Sequence, residues 1–424
     1  MSRAGGAAAL GLAFAAITAC GRSAFDEREA RAWSHSAGPP DGISSAAYSV
    51  AISTVDREQP GATIVVAGSD PASLSTLSYD VGGELEQHGV DTASAFPAAP
   101  VVAGALDPVA GGKGVFAIAD GAGGIRFYDA RTGDVGPELR ATIGGDACAT
   151  TGSLGGALVF ALTDPDDDIE PDLAALAGAE LAVFRDIDLA AIEVDPGCTR
   201  CALSGEGVSL GTGTVDGDDG EDIAVLAAAG DEIAIFTAAQ VRTQDGQGCG
   251  APLLAIDPPE PGERFAPPLA IGDIEDNEAP EIAVASADGR ALFVFHDVAA
   301  GPDVPGVIRL PAPADSASFG AAIAFGDFDG DEIEELAVGD PDASPEGVTG
   351  AGQVTLYRYD GEELKPAATL YDSEPQEGQH FGRSLVVAEF GLGGAEYRDL
   401  LVVGAEGEVF TYFRLTTDTE DPRN

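Results

Sequence analysis

Residues 324–339 read AFGDFDGDEIEELAVG: a short apolar run, carboxylates at Asp327, Asp329, Asp331 and Glu335, then a second apolar run. Apolar runs of this length, bounded by turn-forming residues, suit buried strands, so the stretch reads as strand, acidic turn, strand. The unit recurs along the chain. An apolar run, a short turn and a third run rich in aromatics appear as TIVVAGSDPASLSTLSYD from Thr63, GVFAIADGAGGIRFYD from Gly114, DLAALAGAELAVFRD from Asp172 and DIAVLAAAGDEIAIF from Asp222. They appear again as EIAVASADGRALFVF from Glu281, ELAVGDPDASPEGVTGAGQVTLYRY from Glu335 and DLLVVGAEGEVFTYFR from Asp399. The second strands begin at Ile64, Val115, Leu173, Ile223, Ile282, Leu336 and Leu400, a spacing that suits four short strands and their turns.

DLAALAGAELAVF alone would pass for helix, since Ala and Leu head the helix scale. Its counterparts in other copies are IAV, LFVF and FTYF, which favour strands, and equivalent positions must share one conformation. A sheet of four such strands carries two apolar faces and cannot bury both alone; stacking sheets radially does so. The expected fold is all-β, a seven-bladed β-propeller of four-stranded antiparallel blades across residues 46–415. The single Trp, Trp33, stands outside every copy, which separates the repeats from WD-type blades.

FGAAIAFGDFDGDEIEELAVGDP from Phe319 and HFGRSLVVAEF from His380 resemble FG-GAP repeats, the units of the seven-bladed propeller of integrin alpha subunits. The resemblance extends from about Ala46 to Leu415 and is sharpest in the sixth copy. It implies that a cation loop joins the first and second strands of a blade, and it suggests adhesion. The seventh copy ends with VFTYFRL at Leu415, and the polar tail 416–424 is too short for a further strand. Residues around Ala30 to Ser36 (ARAWSHS) are therefore expected to supply the last strand and tie the start of the chain to its end.

Calcium takes six to eight oxygens, and a curled loop turns alternate residues inward. Carboxylates at loop positions 1, 3, 5 and 9 and a carbonyl at 7 can surround one ion. In the sixth copy these are Asp327, Asp329, Asp331, Glu335 and the carbonyl of Ile333; in the third, Asp164, Asp166, Asp168, Asp172 and the carbonyl of Glu170. The fourth offers Asp216, Asp218, Asp222 and the carbonyl of Gly220, with Thr214 replacing the first carboxylate. The fifth offers Asp273, Glu275, Asn277, Glu281 and the carbonyl of Ala279, with a longer Glu at the third position. An EF-hand would want Gly at position 6 and Glu at 12, where Glu332 and Val338 stand. The first, second and seventh copies keep only Asp56, Asp107 and Glu389 and read as plain turns. Packed carboxylates repel one another without a cation, so structural Ca2+ is expected in loops three to six.

The chain of 424 residues carries 21 basic against 72 acidic side chains, a net charge of -51, which opposes binding to a nucleic-acid backbone. An apolar content of 45% in regular runs argues against general disorder. Residues 1–19 have a short positive start and a small-residue apolar run, the pattern of a signal peptide and too short to span a bilayer comfortably. Ile17-Thr18-Ala19-Cys20 resembles the bacterial lipobox, which makes Cys20 the expected acylated first residue of the mature chain, followed by a linker to residue 45. The expected location is an exported, outer-membrane or cell-surface lipoprotein. Cys148, Cys198, Cys201 and Cys249 are expected to form disulfides, with three connectivities open.

His35, His88, His296 and His380 are scattered, and no HExxH, GxSxG or Walker-type loop appears. Aromatics make up 6% of the chain and fall mostly on third strands, where packing explains them. The expected function is that of a noncatalytic, monomeric surface module that binds a protein or envelope ligand, braced by calcium and held to the membrane only by its lipid. The alternative from another class is an extracellular hydrolase or lyase acting on polysaccharide or phosphoester in the propeller channel.

Overall fold

The computed structural model describes residues 32–414 apart from loop segments, the longest being 38–47, 54–62, 92–101, 107–113, 130–137, 162–171, 188–196, 243–247, 299–305 and 391–397. The signal-like stretch 1–19, Cys20, the tail 416–424, Asp56, Asp107 and four residues of loop three (Asp164, Asp166, Asp168, Glu170) lie outside the described residues.

Among the described residues the strands fall into four-stranded antiparallel sheets, and all but one are consecutive in the chain. After β1 (Ala32–Ala37), the first sheet is β2 (Tyr48–Ser53), β3 (Thr63–Ser69), β4 (Ala72–Tyr79) and β5 (Leu85–Asp91). The second is β6 (Val102–Leu106), β7 (Gly114–Ala119), β8 (Ile125–Asp129) and β9 (Glu138–Ile143). The third is β10 (Leu158–Ala161), β11 (Asp172–Leu176), β12 (Glu180–Phe184) and β13 (Cys198–Ala202). The fourth is β14 (Gly207–Gly213), β15 (Asp222–Ala227), β16 (Ile233–Phe236) and β17 (Leu254–Ile256), with the one-turn helix α1 (Ala238–Val241) between its last two strands. The fifth is β18 (Phe265–Gly272), β19 (Glu281–Ser286), β20 (Ala291–His296) and β21 (Gly306–Pro311). The sixth is β22 (Ala322–Gly326), β23 (Glu335–Asp340), β24 (Gln353–Tyr359) and β25 (Leu364–Leu370). The remaining sheet takes β26 (Ser384–Phe390), β27 (Arg398–Ala405) and β28 (Glu408–Arg414) from the end of the chain, and β1 from its start.

Closure is carried by β1, which runs antiparallel to β28 with Trp33 opposite Phe413 and Ala37 opposite Val409. The first strands of successive sheets are neighbours, from β2 to β6 and onward to β26, and β26 in turn lies beside β2. The fold is an all-β propeller of four-stranded antiparallel blades.

Burial follows from this stacking. The second strands β11, β15, β19 and β23 are buried at every position, because each of their faces is covered by a neighbouring sheet. Outer strands alternate: β21 leaves every second residue exposed along most of its length. Wedges of side chains fill the gaps between blades; Ile233 and Ile235 of the fourth sheet pack with Ile282, Val284, Phe293 and Phe295 of the fifth. Ala-rich DLAAL and ELAVF form β11 and β12 because their partners supply the packing that overrides helix propensity.

The Phe-Gly pair works as a latch between blades. Phe319 is buried against the fifth sheet, and Gly320, at φ +85°, turns its amide onto the Gly339 carbonyl at 3.0 Å. Phe381 and Gly382 (φ +87°) repeat the arrangement, with the Gly382 amide on the Gly404 carbonyl at 3.1 Å. A side chain at Gly339 would meet the Gly382 carbonyl at 2.0 Å, so the close approach of these blades requires glycine there.

Two disulfides select one of the three connectivities: Cys148–Cys198 and Cys201–Cys249, with Cα separations of 5.7 and 4.9 Å. Both end on β13, binding it to the segment before its own sheet and to the connection between α1 and β17. Such bonds persist in oxidising compartments, consistent with an exported protein. Among the described residues no helix is long and apolar enough to cross a membrane.

Candidate metal centres in the blade loops

The four acidic loops end on one shared feature. The carboxylate at position 9 opens the second strand of its sheet and is sealed from solvent: Asp172, Asp222, Glu281 and Glu335 are each 0 or 1% exposed. One oxygen of that group gathers the loop in each fully framed copy. Asp222 Oδ2 accepts the Asp216 amide at 2.8 Å, Glu281 Oε2 the Ile274 amide at 2.8 Å, and Glu335 Oε2 the Phe328 and Asp329 amides at 3.0 and 3.3 Å. Position 5 then holds position 7: the amides of Gly220, Ala279 and Ile333 donate to Asp218, Asn277 and Asp331 at 2.9, 2.9 and 3.2 Å. Alternating acids thus curl the backbone before any ion is considered, as short Asx side chains do in turns.

Position 1 differs among copies. Asp327 Oδ1 accepts the Asp331 amide at 3.1 Å, and Asp273 Oδ1 accepts those of Glu275 and Asn277 at 3.2 and 3.3 Å. Thr214 contributes its carbonyl to the Gly217 amide instead, and Asp216 Oδ1 takes over by accepting the Asp218 amide at 3.0 Å.

Two loops bring three carboxylates together. Ligand oxygens of Asp216, Asp218 and Asp222 lie within 4.8 Å of one another, as do those of Asp327, Asp329 and Glu335. Oxygens at about 2.3 to 2.6 Å from one calcium ion stand up to about 5 Å apart, so both sets have the right donors and span. Among the described residues loop five forms no such group. Its Glu275 reaches away, its Oε2 accepting from the Asn277 side-chain Nδ2 at 2.9 Å and its Oε1 lying 4.0 Å from His296 Nδ1. Of loop three only Asp172 is described, with Arg242 Nη1 at 3.8 Å.

The two clusters are balanced differently. Arg358 enters loop six: its Nε and Nη2 donate to Glu335 Oε1 at 3.2 and 3.0 Å, and Nη2 is 3.2 Å from Asp331 Oδ2 and also contacts Asp329 Oδ2. In loop four Asp222 Oδ1 accepts the Ala238 amide at 2.9 Å, at the start of α1, whose Thr237 and Gln240 form a capping box. Among the described residues no basic side chain pairs with Asp216, Asp218 or Asp222. Burial and the neighbouring Asp216 and Asp218 charges push the Asp222 carboxyl up to about 6, against the pull of its two amide hydrogen bonds.

Arg358 was invisible to loop spacing because it comes from the third strand. A signal for it exists in the aligned copies. Leu173, Ile223, Ile282 and Leu336 pair with Phe184, Phe236, Phe295 and Tyr357, so each buried acid stands opposite the residue after that aromatic. Those residues are Arg185, Thr237, His296 and Arg358.

Residues 319–357 match the FG-GAP repeat. The match runs from the latch Phe319 through loop six to Tyr357 on β24, so it covers the best-kept blade. An FG-GAP propeller suggests a protein-interaction module.

Proposed function

We propose that this chain is a noncatalytic interaction module: a seven-bladed, calcium-braced propeller, lipid-anchored at Cys20, that binds a protein or envelope ligand at the outer membrane or cell surface. The FG-GAP match on a propeller carries this reading. Seven blades are supported by the four-stranded sheets and by β1, which joins the two ends of the chain. Calcium is supported most directly by loop four, whose three gathered carboxylates lack a basic partner among the described residues. When bound, the ion would supply positive charge and brace the turn, with Asp216, Asp218 and Asp222 as holders. The lipid anchor rests on Ile17-Thr18-Ala19-Cys20, and the net charge of -51 disfavours nucleic acid. The chain acts as a monomer in this reading.

Affinity capture from an envelope extract, with the chain from Gly21 as bait in calcium and in chelator, tests the proposal. The expected result is a specific envelope partner retained in calcium. Turnover of a polysaccharide or phosphoester by the purified chain, with no partner retained, would replace the module with an enzyme.

A further inference from the structure

Loop six matches the cation-loop pattern best, yet its carboxylates already face a positive charge supplied by the chain. Arg358 reaches Glu335, Asp331 and Asp329 at once, from the strand position opposite the buried acid. Its side chain is 41% exposed, while those of Glu335 and Asp329 are 1 and 8% exposed. The guanidinium therefore roofs the cluster, its fork matching several carboxylate oxygens, as Arg does better than Lys. A guanidinium from a different element, Arg242 at the end of α1, lies 3.8 Å from the equivalent acid Asp172.

We propose that Arg358 is the resident cation of loop six: it offsets enough of the cluster's charge that this blade keeps its turn without a divalent ion, and calcium binds there only by displacing the guanidinium. The proposal concerns loop six alone and does not require calcium in loop four. Two positive species cannot both occupy the space between Asp329 and Glu335, so metal and arginine compete. Removing the guanidinium should leave an acidic cluster that lacks its counter-charge in chelator and gains affinity for calcium.

The test uses the full chain with Arg358→Gln, Glu335→Gln and the double variant, melted in chelator and in millimolar calcium, with calcium binding followed by titration calorimetry. In chelator, R358Q should melt several degrees below the parent, and the double variant should recover part of that loss, since neutralising Glu335 as well lowers the charge that R358Q leaves unopposed. R358Q should also gain a calcium site, or bind at least about tenfold tighter, the scale on which one nearby charge acts in a half-exposed cluster. Asp327→Asn in the R358Q background should remove that gain. An unchanged melt of R358Q in chelator, or a double variant as unstable as the sum of the singles, would overturn the proposal whatever calcium does. Absence of any calcium effect on the parent and on Asp218→Asn would instead overturn the calcium reading of loop four, and the role of Arg358 would still stand or fall on the chelator melts.

Discussion

Loops four and six share a frame and differ in what balances it. Both end on a buried acid that gathers the loop amides, and both hold three carboxylates within 4.8 Å. In loop six the opposite residue is Arg358; in loop four it is Thr237, which begins a helix whose Ala238 amide reaches Asp222. One amide dipole is a weaker counterweight than a guanidinium, so loop four keeps all three of its carboxylate charges unopposed while loop six has one of its four offset. Ligand spacing therefore describes the shape of a cation loop, while the residue across the sheet decides how much charge is left for an ion.

The largest effect should come from removing the acid at the root of loop six. Glu335→Ala removes the buried acceptor of Arg358 and of two loop amides, and breaking a buried pair in this way costs about 3 kcal/mol, the low end of the usual range because Arg358 is 41% exposed and keeps Asp329 and Asp331. Urea denaturation in chelator measures it. A loss below about 1 kcal/mol would mean that the cluster is not held by its charge pairing.

Chelation should separate the loops next. If loop four is filled at about a hundred times its dissociation constant, the ion contributes about 2.7 kcal/mol, and chelator removes it. Asp218→Asn should abolish most of the difference between melts in calcium and in chelator, whereas Asp327→Asn should change it little. The reverse ranking would show that loop six, despite Arg358, is the calcium site.

Most of the frame was legible in the sequence, and the balance of charge was not. Strand periodicity, repeat spacing and acids at alternate positions are local, so β22, loop six and β23 can be read from residues 322–340 alone. The closing strand was accessible by elimination, because VFTYFR lacked a partner and ARAWSHS was the spare segment; β1 pairs with β28 over Ala32–Ala37. Arg358 lies 23 residues from Glu335, and the pairing of Leu336 with Tyr357 must be known before its reach is apparent. Loop five shows the limit of spacing in another way. Its acids stand at the right positions, but the longer Glu275 satisfies itself against Asn277 and His296. The cysteine pairing likewise needed three dimensions, since it depends on which segments flank β13.

Titration gives a smaller contrast. The Asp222 carboxyl is raised from 3.8 to about 6, so the folded chain holds its proton more tightly than the unfolded chain does. The resulting stabilisation is fully present below about 3.8 and is lost as pH rises through about 6. In chelator, the parent should therefore lose more stability between pH 4 and 6.5 than Asp222→Asn does, as read by melts across that window. Equal slopes would mean that the Asp222 carboxyl holds its proton no more tightly in the folded chain than in the unfolded one.

The smallest effect addresses whether the loops act alone. Tyr359, next to Arg358, faces the Glu275 charge of loop five, and Glu334 Oε2 accepts the Asp273 amide at 2.7 Å, so loops five and six are joined across a blade boundary. Burial first, and then the Glu275 charge, raise the Tyr359 hydroxyl, which keeps it a donor throughout the neutral range. Tyr359→Phe should cost less than about 1 kcal/mol, the net value of one hydrogen bond. Combined with Asp218→Asn it should be additive, because loop four shares none of these partners. Additivity in the melts would mark each loop as a local brace. A coupling above about 0.5 kcal/mol would mean instead that charge in one loop is felt through the blade between them, and that loops four and six cannot be balanced independently.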